Sequence, residues 1–257
     1  MPMIQSSTSM MKKERQTLIM KQINLHNRAL SSDLSIMLNV SEDTIRRDLN
    51  EMAEEGKLIK VHGGALSKSY HFNYPTTETY AASAKQVIAH KAVSLIKNDM
   101  FVMIGGGTTV GELIHQIPMD ISATFFTVSL LTALQLCDHA SATVIFIGGT
   151  IAKTSQISAG GEVISRLADI RADLCILGAN GISFNEGITE TDMETVQVKR
   201  AMMKASKQTA ILTISEKLDS VQRLRVCDID EVNYLITELD PESTNLKTYR
   251  RNNLVIL

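Results

Sequence analysis

The chain has 257 residues, 44% of them hydrophobic and 21% charged, with a formal net charge of −2. That length allows one large domain or two smaller ones, and the composition is that of an ordinary globular protein. The near-neutral balance excludes nucleic-acid binding through global charge, so any DNA-binding face must be local. No apolar run approaches the ~18 residues of a membrane-spanning helix, and the opening MPMIQSSTSM lacks the apolar stretch of a signal peptide. Cys137, Cys175 and Cys227 show neither CxxC nor histidine spacing. The expectation is a cytoplasmic protein with reduced core thiols, no metal site, no cofactor and no membrane partner. Residues 1–10 read as a disordered tail, or as an upstream start before Met10 or Met11.

In chain order, residues 11–28 form the first predicted helix, with Arg15, Leu18, Ile19, Gln22 and Ile23 along one stripe. Ser31 or Ser32 is expected to cap a short second helix in which Leu34, Met37 and Leu38 share a face. Asn39-Val40 makes a tight turn. Ser41 then caps a third helix, whose first turn carries Glu42 and Asp43 at the positive end of its dipole. Ile45, Leu49 and Met52 recur at i, i+4, i+7 and face a core, which leaves Thr44, Arg46 and Arg47 on a free face. Arginine can fork onto guanine or phosphate, and threonine can touch a phosphate or a thymine methyl. Three short helices with this turn before the last are the helix-turn-helix arrangement. Gly56 ends the third helix, and KLIKVHGGAL folds into a small hairpin, a wing, whose Lys60, His62 and Gly63 can lie on phosphates or in a minor groove.

Arg15, Ile19 and Ile23, then Ser41-x-x-Thr44-Ile45-Arg46-Arg47-Asp48-Leu49, then Val61-His62-Gly63-Gly64-Ala65, resemble the N-terminal signature of DeoR-type bacterial transcription regulators. The resemblance implies a winged helix-turn-helix over residues 11–66 that binds operator DNA. Asp48 is expected to be structural, pairing with a neighbouring arginine or holding the wing. Residues 11–65 carry nine Lys/Arg against eight acids. Non-specific affinity is therefore expected to be modest, and tight operator binding to need a homodimer or homotetramer.

Residues 67–82 hold three of the five tyrosines, Tyr70, Tyr74 and Tyr80, together with Phe72. An aromatic-rich linker of this kind is expected to pack on something rather than act as a flexible tether. From residue 83 onward, apolar runs alternate with helical patterns. A helix over Ala84–Ile96 leads to strand MFVMIG, a helix from Thr109 to about Ile117, strand ATFFTV, and a helix from Ser129 to Cys137. Strand TVIFIG, a loop, a short helix over 162–167, strand DLCILGA, a helix from Met193 to Ser206 and strand AILTI follow, with NYLIT and LVIL as later strands. The fold class is α/β: a mostly parallel sheet covered on both faces, binding ligand at the carboxyl ends of its strands.

The candidate effector site begins at Gly105-Gly106-Gly107-Thr108-Thr109, between a strand and a helix. Glycine lets backbone approach closely, and a helix start offers free N–H groups, which suits phosphate. No Gly-Lys-Ser/Thr follows, so it is not a nucleotide P-loop. Thr127-Val128-Ser129, Gly148-Gly149-Thr150 and Gly178-Ala179-Asn180-Gly181 stand at other strand ends. Lys199, Arg200 and Lys217 read either as solvated cations or as anion ligands.

Residues 84–237 resemble the DeoR-type sensor domain, related to ribose-phosphate isomerase and CoA-transferase-like folds. The resemblance rests on Gly107-Thr108-Thr109, Thr127 and Ser129, Gly148-Gly149, Val198-Lys199-Arg200-Ala201 and Lys217. It implies that Gly107, Thr108, Thr109 and Lys199 hold a phosphate with Lys217 near a sugar. The chain departs from the family pattern at Gly105, where Asp is usual, at Val128, where Asn is usual, and at Ile214, where Asp opens an Asp-x-Ser-Lys motif. The phosphate half of the site is thus expected to survive better than the sugar half. The overall expectation is a repressor of a carbohydrate-metabolism operon, controlled by a phosphorylated sugar. The alternative is a sugar-phosphate isomerase or transferase carrying a DNA-binding domain. Glu190, Asp192 and Glu194 are read as acids of one loop near the crevice and in the main solvated.

Overall fold

The computed structural model describes residues 11–26, 28–68, 80–153, 155–250 and 253–257. The expected tail over 1–10, and Tyr70, Phe72 and Tyr74 of the linker, lie outside the described residues. The chain divides into two compact units, one ending at Tyr80 and the other beginning at Ala81.

The first unit contains α1 (Lys12–His26), β1 (Arg28–Leu30), α2 (Ser31–Leu38), α3 (Glu42–Glu54), β2 (Ile59–Val61) and β3 (Gly64–Leu66). Ile19, Ile23, Leu34, Leu38, Ile45, Leu49 and Met52 pack into one apolar cluster. The stripe expected on α3 is buried as a whole. On the other helices two expected members are not: Leu18 is 38% exposed and Met37 47% exposed. The first helix stops at His26, and Arg28, expected within it, lies in a strand. No serine side chain caps α2. Its N-cap position is held by Leu30, because β1 runs directly into the helix, and the Ser31 N–H donates instead to Gly63 O at 2.8 Å. Ser41 does cap α3, its Oγ accepting from Thr44 N at 3.2 Å. At the other end Gly56 has φ +72°, Lys57 N–H reaches back to Met52 O and Gly56 N–H to Ala53 O, which closes the helix as a Schellman turn.

The wing is a three-stranded antiparallel sheet in the order β1-β3-β2. Strand β1 carries no alternation or turn signal in three residues, which is why it was invisible to pattern. Gly64 is required here because a Cβ on it would sit 2.2 Å from Ala29 O of the paired strand. Across the helices, Arg15 Nε and Nη2 donate to the two oxygens of Asp48 at 2.5 and 3.2 Å. Asp48 is 2% exposed, so it ties α1 to α3, the structural role expected of it.

The second unit contains α4 (Ala82–Val93), β4 (Phe101–Ile104), α5 (Thr108–Gln116), β5 (Thr124–Thr127), α6 (Leu130–Leu136) and β6 (Thr143–Phe146). These are followed by β7 (Thr150–Ala152), β8 (Ile157–Ala159), α7 (Gly161–Ala168), β9 (Ala172–Gly178), β10 (Gly181–Ser183) and β11 (Gly187–Glu190). Last come α8 (Met193–Lys204), β12 (Ser206–Leu212), β13 (Leu224–Cys227), β14 (Tyr234–Ile236) and β15 (Val255–Ile256). Helix α4 starts two residues before the expected Ala84 and ends before Ile96. Seven strands form one sheet in the order β15-β14-β12-β9-β4-β5-β6, and every pairing in it is parallel. The expected strands are all present. The loop expected before α7 instead contains the β7–β8 hairpin, and β10, β11 and β13 form a small antiparallel sheet. These additions are strands of three or four residues, below the length at which alternation is legible.

Helix α4 packs on α5 and α5 on α6, while α7 packs on α8. Successive strands β4, β5 and β6 run outward on one side of the sheet, and β9, β12 and β14 on the other. The order therefore reverses between β4 and β9, and the connections leaving those two strands diverge. A crevice opens there. Replacing Asp48 by alanine is expected to leave Arg15 without its counter-charge and to destabilise the first unit by about 3–5 kcal/mol, read from the urea midpoint of the corresponding transition.

Candidate functional site

On the first unit, α3 presents Arg46 and Arg47 to solvent. Each guanidinium is paired four residues back, Arg46 with Glu42 at 3.9 Å and Arg47 with Asp43 at 2.6 Å. Exposed pairs of this kind contribute about 0–1 kcal/mol, so either arginine can leave its partner for a phosphate or base at little cost. Ser41 Oγ is committed to the cap and lies 2.9 Å from Thr44 Oγ1, so the two hydroxyls form one polar group at the start of the helix. In the wing, His62 and Gly63 are exposed at the turn between β2 and β3, whereas Lys60 Nζ folds back onto Val61 O at 2.7 Å. Thr44, Arg46 and Arg47 thus share a helix face, His62 and Gly63 share a hairpin tip, and Lys60 is spent on its own strand.

On the second unit, the crevice between β4 and β9 gathers most of the expected effector residues. Gly105 N–H donates to Ile176 O at 2.9 Å and continues the β4–β9 pairing. Gly106 lies against β5's exit: a Cβ there would meet Ser129 Oγ at 2.8 Å. Gly107, at φ +112°, is the N-cap of α5, and the half-buried Thr108 and Thr109 form its first turn. The first N–H groups of a helix have no partner within it, so this turn offers them to the crevice. Ser129 caps α6 through Thr132 N at 3.3 Å, and Thr132 Oγ1 donates to Gly105 O at 2.9 Å, which stiffens the loop. Gly149 is placed elsewhere, at the end of edge strand β6. Its bare Cα accommodates Val163 of α7, whose Cγ2 would stand 2.5 Å from a Cβ.

Lys199 and Lys217 enter from the β9 side. Lys199 Nζ donates to Gly178 O at 2.6 Å and is ion-paired with Glu190; Lys217 Nζ donates to Ala179 O at 2.8 Å. Asn180 Nδ2 donates to the other Glu190 oxygen at 2.6 Å. Glu190 is 3% exposed and lies in β11, not in a solvated loop. Of its expected companions, Asp192 caps α8 by accepting from Thr195 N at 2.9 Å, and only Glu194 is solvated. Arg200 is also not a free cation, since its Nε donates to Val226 O at 2.8 Å.

Desolvation pushes the Lys217 ammonium down to about 7, with Lys85 and Lys199 lowering it further and Glu190 opposing. Burial likewise pushes Lys85, on α4, down to about 8, against the pull of Glu112. Lys85 was missed by sequence reasoning. The signal was a lysine on the stripe of Ile88, Ala89 and Ala92, where burial is otherwise apolar. The departures from the family pattern look different in place. Val128 is 2% exposed in the main apolar cluster, so the position faces the core rather than the crevice. A Cβ at Gly105 would meet Leu177 Cδ2 at 3.0 Å, so that space is occupied too.

A model of the DeoR-like helix-turn-helix domain matches residues 15–70, and a model of the DeoR C-terminal sensor domain matches residues 81–239. The chain belongs to the DeoR family. It is a DNA-binding transcription regulator of that type, with the two DeoR modules in the order the motifs implied. It is 29% identical to the HTH-type transcriptional repressor GlcR of Bacillus subtilis over 96% of both chains. It is 30% identical to the glycerol-3-phosphate regulon repressor of Haemophilus influenzae over 82% of this chain and 84% of that one. It is 28% identical to the L-fucose operon activator of Escherichia coli over 93% of this chain and all of that one. A ribose-5-phosphate isomerase in complex with phospho-erythronic acid aligns over 52% of each chain at 17% identity and TM-score 0.39.

Within the DeoR sensor module, Glu190 is the only carboxylate set against Lys199 and Lys217 by the contacts described above. Replacing it by glutamine is expected to leave both ammonium groups uncompensated and to lower stability by about 3–5 kcal/mol, measured as a fall in the melting transition of the second unit.

Proposed function

We propose that this regulator is a repressor of a carbohydrate operon and that a phosphorylated sugar, bound in the crevice between β4 and β9, controls it. The observation that carries the reading is the charge balance there. Lys217 interacts electrostatically with both Lys85 and Lys199, while two carboxylates offset the three lysines, Glu190 at Lys199 and Lys217 and Glu112 at Lys85. A phosphate dianion beside Gly105–Thr109 supplies the missing negative charge, with the α5 N–H groups, Thr108 and Thr109 as donors. Lys217 then stands on the sugar side. Ser129 serves by stiffening the loop, and Gly149 has no place in this account.

Operator DNA is taken by Thr44, Arg46 and Arg47 in the major groove, with His62 and Gly63 at the backbone or minor groove. The near balance of charge in the first unit favours a dimeric or tetrameric regulator, and its kinship with transcription regulators favours work in the cytoplasm. To act as a switch, the effector must bind two arrangements of the protein unequally. The relatives' names are consistent with a sugar-linked role, and they include both repressors and an activator. An isomerase reading is disfavoured because both Glu190 oxygens are engaged and Asp192 is spent on a cap, so neither of these two acids stands poised as a base.

Arg46→Ala or Arg47→Ala is expected to weaken operator binding by about 1–3 kcal/mol and to leave the melting temperature unchanged; a gel-shift titration reads the first and a thermal melt the second. A thermal-shift screen of phosphorylated sugars tests the crevice, with Lys217→Met expected to abolish the shift. Proton linkage gives an independent check. Burial pushes Lys217 down to about 7, and an adjacent phosphate favours its charged form, so effector binding at pH 8 is expected to take up a proton. Calorimetry in buffers of different ionisation enthalpy is expected to show that uptake, and to show it vanish below pH 6.

A further inference from the structure

The opposite end of the sheet carries a second polar concavity. A cavity of about 580 Å³ opens where α8 ends and β12 begins, and its lining includes Arg200, Lys204, Thr209, Arg225 and Asn233. Because β12 runs from Ser206 to Leu212 and the crevice lies beyond Leu212, this cavity is at the other end of the strand.

Its charges do not cancel. Arg225 pairs with Asp228, Lys207 pairs with Asp173 at 2.8 Å, and the Glu231 carboxylate accepts the N–H of Asp228 at 2.9 Å. Arg200 and Lys204, one turn apart on α8, have no carboxylate within ion-pair distance among the described residues. Arg200 is nevertheless fixed in place: Nε donates to Val226 O at 2.8 Å and Nη2 to Arg225 O at 2.7 Å. That clamp holds the guanidinium plane and leaves Nη1 unspent. Asn233 is fixed in the same way. Its Oδ1 accepts from Thr209 N at 2.7 Å, which settles the amide orientation and leaves the NH₂ as the unspent end.

Arg200 Nη1, Lys204 Nζ and the Asn233 NH₂ are donors, two of them on cations, and the lining sets the single charge of Glu231 against them. An anion with several acceptor oxygens matches such a set of donors. The volume exceeds a bare phosphate and falls within the range of about 300–1,000 Å³ that holds a small metabolite. We propose that this cavity is a second anion site, for a phosphorylated small molecule, separate from the crevice at the other end of the sheet.

Calorimetric titration of the full-length protein with inorganic pyrophosphate tests this. The wild type is expected to take two equivalents per chain. Lys204→Glu, a change on the exposed face of α8, is expected to weaken one of them roughly tenfold or more and to spare the other. Asn233→Asp keeps the acceptor for Thr209 N–H while replacing the donor with a charge, and it is expected to weaken the same equivalent. Lys217→Met is expected to weaken the other. A single equivalent that Lys204→Glu and Asn233→Asp leave unchanged overturns the proposal, as does the absence of saturable binding. Two equivalents of which Lys217→Met removes neither would instead overturn the crevice reading and leave this one standing.

Discussion

Glu190 accepts from Lys199 through one oxygen and from Asn180 through the other, and Lys199 passes the connection on to Gly178 O. Lys217 holds the next carbonyl, Ala179 O. Two lysine amines therefore grip successive carbonyls where β9 leaves the sheet. Burying a charged one is expensive without a counter-charge; Glu190 supplies it to Lys199, while desolvation pushes Lys217 down to about 7. The exit of β9 lies beside the exit of β4, so these contacts stand next to Gly105–Thr109. The sheet supplies the place, through the reversal of strand order, and the carboxylate supplies the alignment.

The backbone plan was legible because it rests on long apolar runs. A buried parallel strand reads as continuous hydrophobic sequence, as β9 does and as β12 does only in its Ala210–Leu212 half, so its polar start at Ser206 was not read. The third helix of the first unit was legible for a different reason: cap, dipole and stripe agree over ten residues. What escaped was short or non-local. Strands β1, β7, β8, β10, β11 and β13 have three or four residues each, too few to show a period. The loss of the serine cap on α2 follows from β1, which delivers the chain into the helix with its first N–H already taken by Gly63 O.

The site divides along the same line. The glycine-threonine turn and the two lysines lie in local motifs, so the sequence could name them as candidates. Glu190 looked like a loop acid because nothing local says that β11 turns it inward. Lys85 stands more than a hundred residues from its neighbours in the crevice, and only the packing of α4 brings it there. The two departures that suggested a lost sugar contact, Gly105 and Val128, illustrate the converse. Read in sequence they remove pocket groups; in space one is filled by Leu177 and the other belongs to the core.

The pairing of Arg46 with Glu42 and of Arg47 with Asp43 bears on how the protein searches a chromosome. An arginine that already holds a carboxylate displaces fewer condensed cations when it meets a phosphate, and the displaced carboxylate is then left facing a polyanion. On the proposal that α3 meets operator DNA, random duplex gains a little less from each of these arginines than from an unpaired one, and the base edges of the operator are what favour the exchange. The acids in the first turn of α3 then weigh, modestly, on the side of sequence over charge.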